Sequence, residues 1–324
     1  VVDLPRPQMA AWQEAGVDLP VSVNISGFHL QQAGFLDELR ALLAAHPNVP
    51  RGYLELEVLE SSALEDIALV SAVIDASATL GVSFALDDFG TGYSSLTYLK
   101  RLPAQVLKID QSFVRDMLQD SDDLAILEGI LGLATAFRRR AIAEGVETVA
   151  HGETLLRLGC DLGQGYGIAR PMAAADLPAW RQRWRPDPRW AHAHCLDREL
   201  MPVLIAGVEH RGWIVALGEH LDGRRDAPPP LDHHQCRFGQ WLDKTIHQPR
   251  HAATFATIET LHLRVHALAA DLLKRRSQGH DVEALAGMAE LHALWDALLV
   301  HLEYLLKDDP RSLAPSSGGG SNCR

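Results

Sequence analysis

The chain has 324 residues, 47% hydrophobic and 22% charged, enough for two domains that each bury a core of their own. Its 42 acidic side chains against 30 basic ones exclude a broad electrostatic footprint for nucleic acid. No apolar run approaches membrane length, and no signal-peptide pattern opens the chain.

A short helix over 8–15 comes first. Strand candidates follow at 21–26, 53–60, 83–88, 106–110, 141–144 and 165–168, with amphipathic helices over 34–45, 67–80 and 124–138 between them. Such repetition predicts a parallel sheet or a (βα) barrel. Asn24, Glu57, Asp87, Lys108, Glu144 and Gln164 stand at or beside the C-terminal strand ends, the rim on which barrels build active sites. A closed barrel needs eight strands and six are visible, so the predicted fold is a TIM-like barrel lacking its first strands. Proline and arginine cluster in 183–188, which reads as a linker. Beyond 196 the pattern is helical only, over 198–221, a short stretch near Cys236, 252–276 and 282–306, and predicts an all-α four-helix bundle. The expected division is a barrel over 1–184, a linker over 185–195, a bundle over 196–308 and a disordered Gly/Ser-rich tail over 309–324. Cys160, Cys195, Cys236 and Cys323 have no paired spacing, which fits a reducing, cytoplasmic setting without a disulfide framework.

Any one polar residue after a strand is ordinarily a helix cap or a solvated loop residue. The adjacent pair Asp87 and Asp88 is different, because two neighbouring carboxylates repel unless a cation sits between them. The segment 89–96 that follows contains Gly90 and Gly92, which let a loop approach a ligand closely. One carboxylate bridging two divalent ions is what two-metal phosphodiester hydrolysis requires. In an acidic protein, such ions would also offset repulsion of an anionic substrate.

The motifs Asn24-Ile25-Ser26, Glu57-Val58-Leu59-Glu60, Asp87-Asp88-Phe89-Gly90-Thr91-Gly92, Lys108-Ile109-Asp110, Ala143-Glu144-Gly145-Val146-Glu147 and Gln164-Gly165-Tyr166 occur in this order. Together they resemble the EAL-domain family of cyclic-di-GMP phosphodiesterases over about 19–184. The resemblance implies that Asn24, Glu57 and Asp87 hold one Mg²⁺ or Mn²⁺ and that Asp87, Asp88 and Glu144 hold a second. Lys108 would position or deprotonate the attacking water, helped by a lowered pKa, and Gln164 would lie near water and substrate. Glu60 would brace the substrate-side loop of Asp88, Thr91, Gly92 and Ser94, which in the family couples dimerisation to metal binding. The product would be linear pGpG. The Glu-Ala-Leu string that names the family should precede Asn24 and does not; Glu283-Ala284-Leu285 falls in the second half as a coincidence. The chain begins at Val1, so it reads as a piece of a longer bacterial protein with cyclase or sensory domains upstream.

In the second half, His262 and His266 are spaced i, i+4 on one helix face, and His210 and Cys236 can complete a tetrahedron from other helices. The full series runs His210-Arg211-Gly212-Trp213, Cys236-Arg237-Phe238-Gly239-Gln240-Trp241 and His262-Leu263-Arg264-Val265-His266. It resembles the chemoreceptor zinc-binding (CZB) family over about 196–306. That implies one Zn²⁺ held by His210, Cys236, His262 and His266 in a bundle that is usually dimeric and senses zinc or oxidants. Trp213, Phe238 and Trp241 read as core packing, and His233 and His234 as surface residues. The combined expectation is a cyclic-di-GMP phosphodiesterase set by a zinc or redox sensor, with no membrane segment and no nucleic-acid partner. The alternative is an inactive cyclic-di-GMP receptor or scaffold, since the family's naming glutamate is missing.

Overall fold

The computed structural model describes residues 5–14, 16–92, 96–197, 199–245 and 252–307. Among these residues six strands form one sheet in sequential order: β1 (Val21–Asn24), β2 (Leu54–Leu59), β3 (Ser83–Phe89), β4 (Val106–Ile109), β5 (Arg140–Glu144) and β6 (Gly163–Gln164). Every neighbouring pair is parallel, as helical crossovers demand. This is the half-barrel arrangement expected from the strand–helix repeats. Local signals set the crossovers: the helix Ile67–Thr79 starts where the Asp66 carboxylate accepts a hydrogen bond from the Leu69 N–H at 3.0 Å. The chain then turns back at Gly81, whose φ of 85° favours glycine.

Side-chain alternation sorts the strands into two faces. Leu54, Leu56, Val58, Phe84, Leu86, Leu107 and Ile109 are fully buried on one face, each contributing about 1.5–3 kcal/mol of burial. The opposite face carries Glu55, Glu57, Asp87, Lys108 and Glu144. Below the rim, Glu55 accepts hydrogen bonds from Ser22 Oγ at 2.8 Å and Ser83 Oγ at 3.3 Å. These bonds tie β1 and β3 to β2 and hold the register that lines up the rim residues above.

The chain divides into two compact units, the first holding all six strands and the second the helices from Met201 onward. Among its described residues from Met201 onward, the second unit contains three long helices, Met201–Leu221, Ala252–Ser277 and Met288–Lys307, and two short ones, Arg237–Thr245 and Asp281–Ala286. Phe238, Ile258, Val265, Leu291 and Leu298 lie in its apolar core. Among the described residues, no helix is long and apolar enough to cross a membrane.

Three expectations need correction. The last strand is Gly163–Gln164 rather than 165–168, because the chain turns at Gly165 to pass over Val146. The helix expected over 282–306 is interrupted at Gly287, where a Cβ would lie 2.2 Å from Leu272 Cδ2. Cys195 takes part in a disulfide, since spacing along a chain says nothing of distance in space. Cys160 and Cys236 are free thiols.

A Cβ on Gly165 would sit 2.3 Å from the Val146 nitrogen, whereas one on Gly129, within the helix Ser121–Ala136, meets nothing within 4 Å. Gly165→Ala is expected to destabilise the first unit by about 1–3 kcal/mol. Gly129→Ala is expected to stabilise it by about 0.5–1 kcal/mol. Urea unfolding of the two variants checks the opposite signs.

Candidate metal centres

The first centre lies on the sheet's polar face, where β2 to β5 each bring one charged group to a common point. The Lys108 ammonium donates to Glu57 Oε2 at 2.7 Å, Asp87 Oδ1 at 2.8 Å and Glu144 Oε1 at 2.7 Å. Only 4% of the Lys108 side chain is exposed, so its charge depends on these partners. Burial alone disfavours the ammonium, but its hydrogen bonds to Asp87, Glu144 and Glu57 outweigh it and hold the pKa above the usual lysine value. The expectation of a lowered lysine pKa rests on two dications beside it; here three carboxylates contact the ammonium directly.

Asp88 follows Asp87 through a break in regular pairing. The β3–β4 register shifts between Leu86 and Phe89, and Asp88 takes a left-handed φ of 55°. The result brings side-chain oxygens of Asp87, Asp88 and Glu144 within 4.8 Å of one another. Burial raises the Asp88 pKa, and so do the charges of Asp87 and Asp110. Such crowding of oxygen ligands is the environment of a hard divalent cation. Asp110, which closes the Lys108-Ile109-Asp110 motif, shares a hydrogen bond with Asp88 and accepts one from the Ser112 N–H at 2.9 Å.

Other residues expected here are distributed around the rim. Asn24 ends β1, exposed and in register with Glu57, and Gln164 ends β6 in register with Glu144. Glu60 is buried, and its Oε2 accepts from the Gly90 N–H at 3.1 Å. A Cβ on Gly92 would lie 3.5 Å from the Glu60 carboxylate. Thr91 Oγ1 donates to the Asp88 carbonyl at 2.9 Å. Glu60 thus contacts the 88–92 loop; Ser94 lies outside the described residues.

The second centre draws on three helical segments. Ligand atoms of His210, Cys236, His262 and His266 lie within 4.8 Å of one another. His262 Nε2 is 3.0 Å from His210 Nε2 and 3.4 Å from Cys236 Sγ. Tetrahedral zinc would place nitrogen ligands about 3.3 Å apart and nitrogen and sulfur about 3.5 Å apart. The second nitrogens are already engaged: His210 Nδ1 meets the Ala206 carbonyl at 3.0 Å and His266 Nδ1 the Leu231 carbonyl at 2.8 Å. His266 Nε2 is buried without a partner, an orphan that a metal would satisfy. Burial pulls the His210 imidazole down to about 4 and also lowers His262 and His266, which favours the neutral, ligating form. Burial raises the Cys236 thiol, opposed by the Gly239 N–H at 3.1 Å from Sγ.

Around this centre Phe238 is fully buried, and Trp213 and Trp241 pack partly buried against the core. Trp295, which had no expected role, stacks on His210 at 5.3 Å between centroids. No sequence motif includes it, because it comes from a separate helix. His233 differs from expectation: it is half-buried, with its ring 6.1 Å from those of His262 and His266. Gly239 explains the approach, since a Cβ there would fall 1.8 Å from the His233 carbonyl oxygen.

Two outcomes follow. Lys108→Met leaves three carboxylates without their counter-charge and is expected to cost about 3–5 kcal/mol in urea unfolding at neutral pH, and less in acid. Burial raises the Glu60 pKa above its ordinary 4.5, with the Gly90 amide opposing. Folding then favours the neutral form, so the stability from this group is full below 4.5 and is lost as pH rises through the raised value. Wild type should lose stability relative to Glu60→Gln as pH rises; parallel stability–pH curves would count against it.

A family model for the EAL domain matches residues 6–171, and one for the chemoreceptor zinc-binding domain, CZB, matches 210–273. The bifunctional diguanylate cyclase/cyclic di-GMP phosphodiesterase MucR of Pseudomonas aeruginosa is 43% identical over 180 residues, 55% of this chain and 26% of MucR. The cyclic di-GMP phosphodiesterase PdeR of Escherichia coli is 35% identical over 184 residues, 57% of this chain and 28% of PdeR. The chain therefore spans under a third of the length of either relative. Among solved structures, the PaMucR phosphodiesterase in complex with c-di-GMP matches with a TM-score of 0.52 at 43% identity, covering 54% of this chain and 71% of that one. The EAL domain of Mycobacterium smegmatis DcpA matches with a TM-score of 0.54 at 34% identity, covering 57% and 83%. The parallel sheet, its charged rim and the match over half its length together show that the chain belongs to the EAL-domain family, with a CZB domain following in the same chain.

Proposed function

We propose that the first unit hydrolyses cyclic-di-GMP to linear pGpG and that the second unit, by binding zinc, sets its rate. The observation that carries the hydrolase reading is the convergence of Glu57, Asp87, Lys108 and Glu144 from four adjacent strands on one point, with Asp88 beside them. Asn24, Glu57 and Asp87 would hold one divalent cation, and Asp87, Asp88 and Glu144 another. An all-oxygen set suits Mg²⁺ or Mn²⁺. Such cations, when bound, supply Lewis acidity and a nucleophilic hydroxide at neutral pH. Water oxygen attacks one phosphorus in line, the bond to the 3′ oxygen breaks, and that oxygen leaves with a proton.

The chain's own residues position these events. Lys108 orients three carboxylates and sets positive charge near the phosphodiester. Glu60 fixes the 88–92 loop through Gly90, so that Asp88 keeps its strained backbone. Gln164, next to Glu144 in register, can hydrogen-bond water or substrate at the rim. In the second unit, the mixed imidazole–thiolate set with its orphaned His266 Nε2 supports zinc over a hard cation. Four protein ligands fill a tetrahedron, so this centre is structural or sensory. The two-domain division near residues 185–195, upstream signalling domains and a homodimer as the route of coupling belong to the same proposal.

The test is chromatographic measurement of pGpG formed from cyclic-di-GMP with added Mg²⁺ or Mn²⁺. Asp87→Asn is expected to lower turnover about a hundredfold or more. Binding without turnover by the wild-type chain would favour a receptor instead. Comparing His262→Ala with wild type in excess Mg²⁺ tests the coupling: equal rates would remove the regulatory link and leave the hydrolase intact.

A further inference from the structure

We infer that His233 is an alternate ligand of the second centre, able to take the position of Cys236 when the thiolate is withdrawn. This rests on reading that centre as a zinc site. In a tetrahedral site each bound imidazole has its centroid about 3.2 Å from the ion, so two bound rings lie about 5 Å apart. The three histidine ligands match this spacing, with centroids at 5.0 Å for His210–His262, 4.7 Å for His262–His266 and 5.7 Å for His210–His266. His233 stands 6.1 Å from both His262 and His266, about one ångström beyond a bound ring.

Its place in the chain makes the exchange direct. His233 and Cys236 occupy one turn, in which Cys236 Sγ donates to the His233 carbonyl at 3.2 Å. The turn is pinned at its start by the bond from the His234 N–H to the Asp232 carboxylate at 3.0 Å. His234 is held away by Asp243, with Nδ1 to Oδ2 at 2.9 Å, so of the two adjacent histidines only His233 faces the cluster. A cavity of ≈ 420 Å³, lined by Glu209, His210, Trp213, Asp232, Gln235 and Cys236, borders the turn and gives it room to shift. Exchange replaces an anionic sulfur ligand by a neutral nitrogen one. The ion stays bound while the charge of the buried centre rises by one, a change that repacking of the surrounding helices can report.

Cobalt(II), added to the full chain in place of zinc, distinguishes the outcomes by absorption. Wild type is expected to show the near-ultraviolet thiolate-to-cobalt band together with visible tetrahedral bands. Cys236→Ser should lose the first and keep the second. Adding His233→Ala to Cys236→Ser should then weaken cobalt binding by at least about tenfold, within the range seen when a supporting group at a metal site is lost. Adding His234→Ala instead should leave it unchanged, and circular dichroism confirms that each variant stays helical. If Cys236→Ser binds no better than the Cys236→Ser/His233→Ala pair, the alternate-ligand role is wrong while the four-ligand site stands. A wild-type chain without the thiolate band overturns the zinc reading itself.

Discussion

Everything in the first unit turns on one buried ammonium. Lys108 sits on a central strand with carboxylates on three strands around it, each within 2.8 Å of its nitrogen. A charge buried to this degree is tolerated only with its partners in place, and the same holds for them. The cluster therefore ties together the registers of β2, β3, β4 and β5, as well as gathering groups for chemistry. The hydrogen bonds from Ser22 and Ser83 to Glu55 repeat this logic one layer lower with neutral donors.

The two centres solve opposite problems. At the rim, acidic groups are crowded beyond what hydrogen bonding satisfies, and the bulge at Asp88 keeps the crowding at the cost of a left-handed backbone. Hard cations relieve such repulsion. In the helical unit burial favours neutral imidazoles at His210, His262 and His266, backbone carbonyls orient His210 and His266, and Trp295 and Phe238 pack on His210. There a soft cation gains from a site already shaped for it. Asn24 and Gln164 are exposed at the rim and Asp88 and Glu144 half-buried, beside the buried Glu57, Asp87 and Lys108, whereas the three histidines of the second centre are all buried.

Much of this was legible in the chain. Alternation of short apolar runs with amphipathic segments located five of the six strands closely, because period and turn chemistry are local properties. The sixth was displaced: Gly165-Tyr166-Gly167-Ile168 reads as a strand, yet Gly165 and Gly167 are there to pass close to the backbone of 146–147. Only the neighbouring loop dictates that. Likewise the run through 282–306 carries an unbroken helical period, while the interruption at Gly287 answers to Leu272 on another helix.

Composition and ordered motifs determined the class of each half, the oxygen-rich chemistry of one centre and the imidazole–thiolate chemistry of the other. Those follow from residue type and spacing, which a chain carries wherever it folds. Tertiary structure alone decided that Lys108 is clasped by Glu57, Asp87 and Glu144, that Asp110 presses on Asp88, that Trp295 covers His210 and that His233 turns inward. Each of these depends on the distance between groups tens of residues apart, or on a glycine that removes a steric barrier. Such distances are set by sheet register and helix packing, which no single segment encodes.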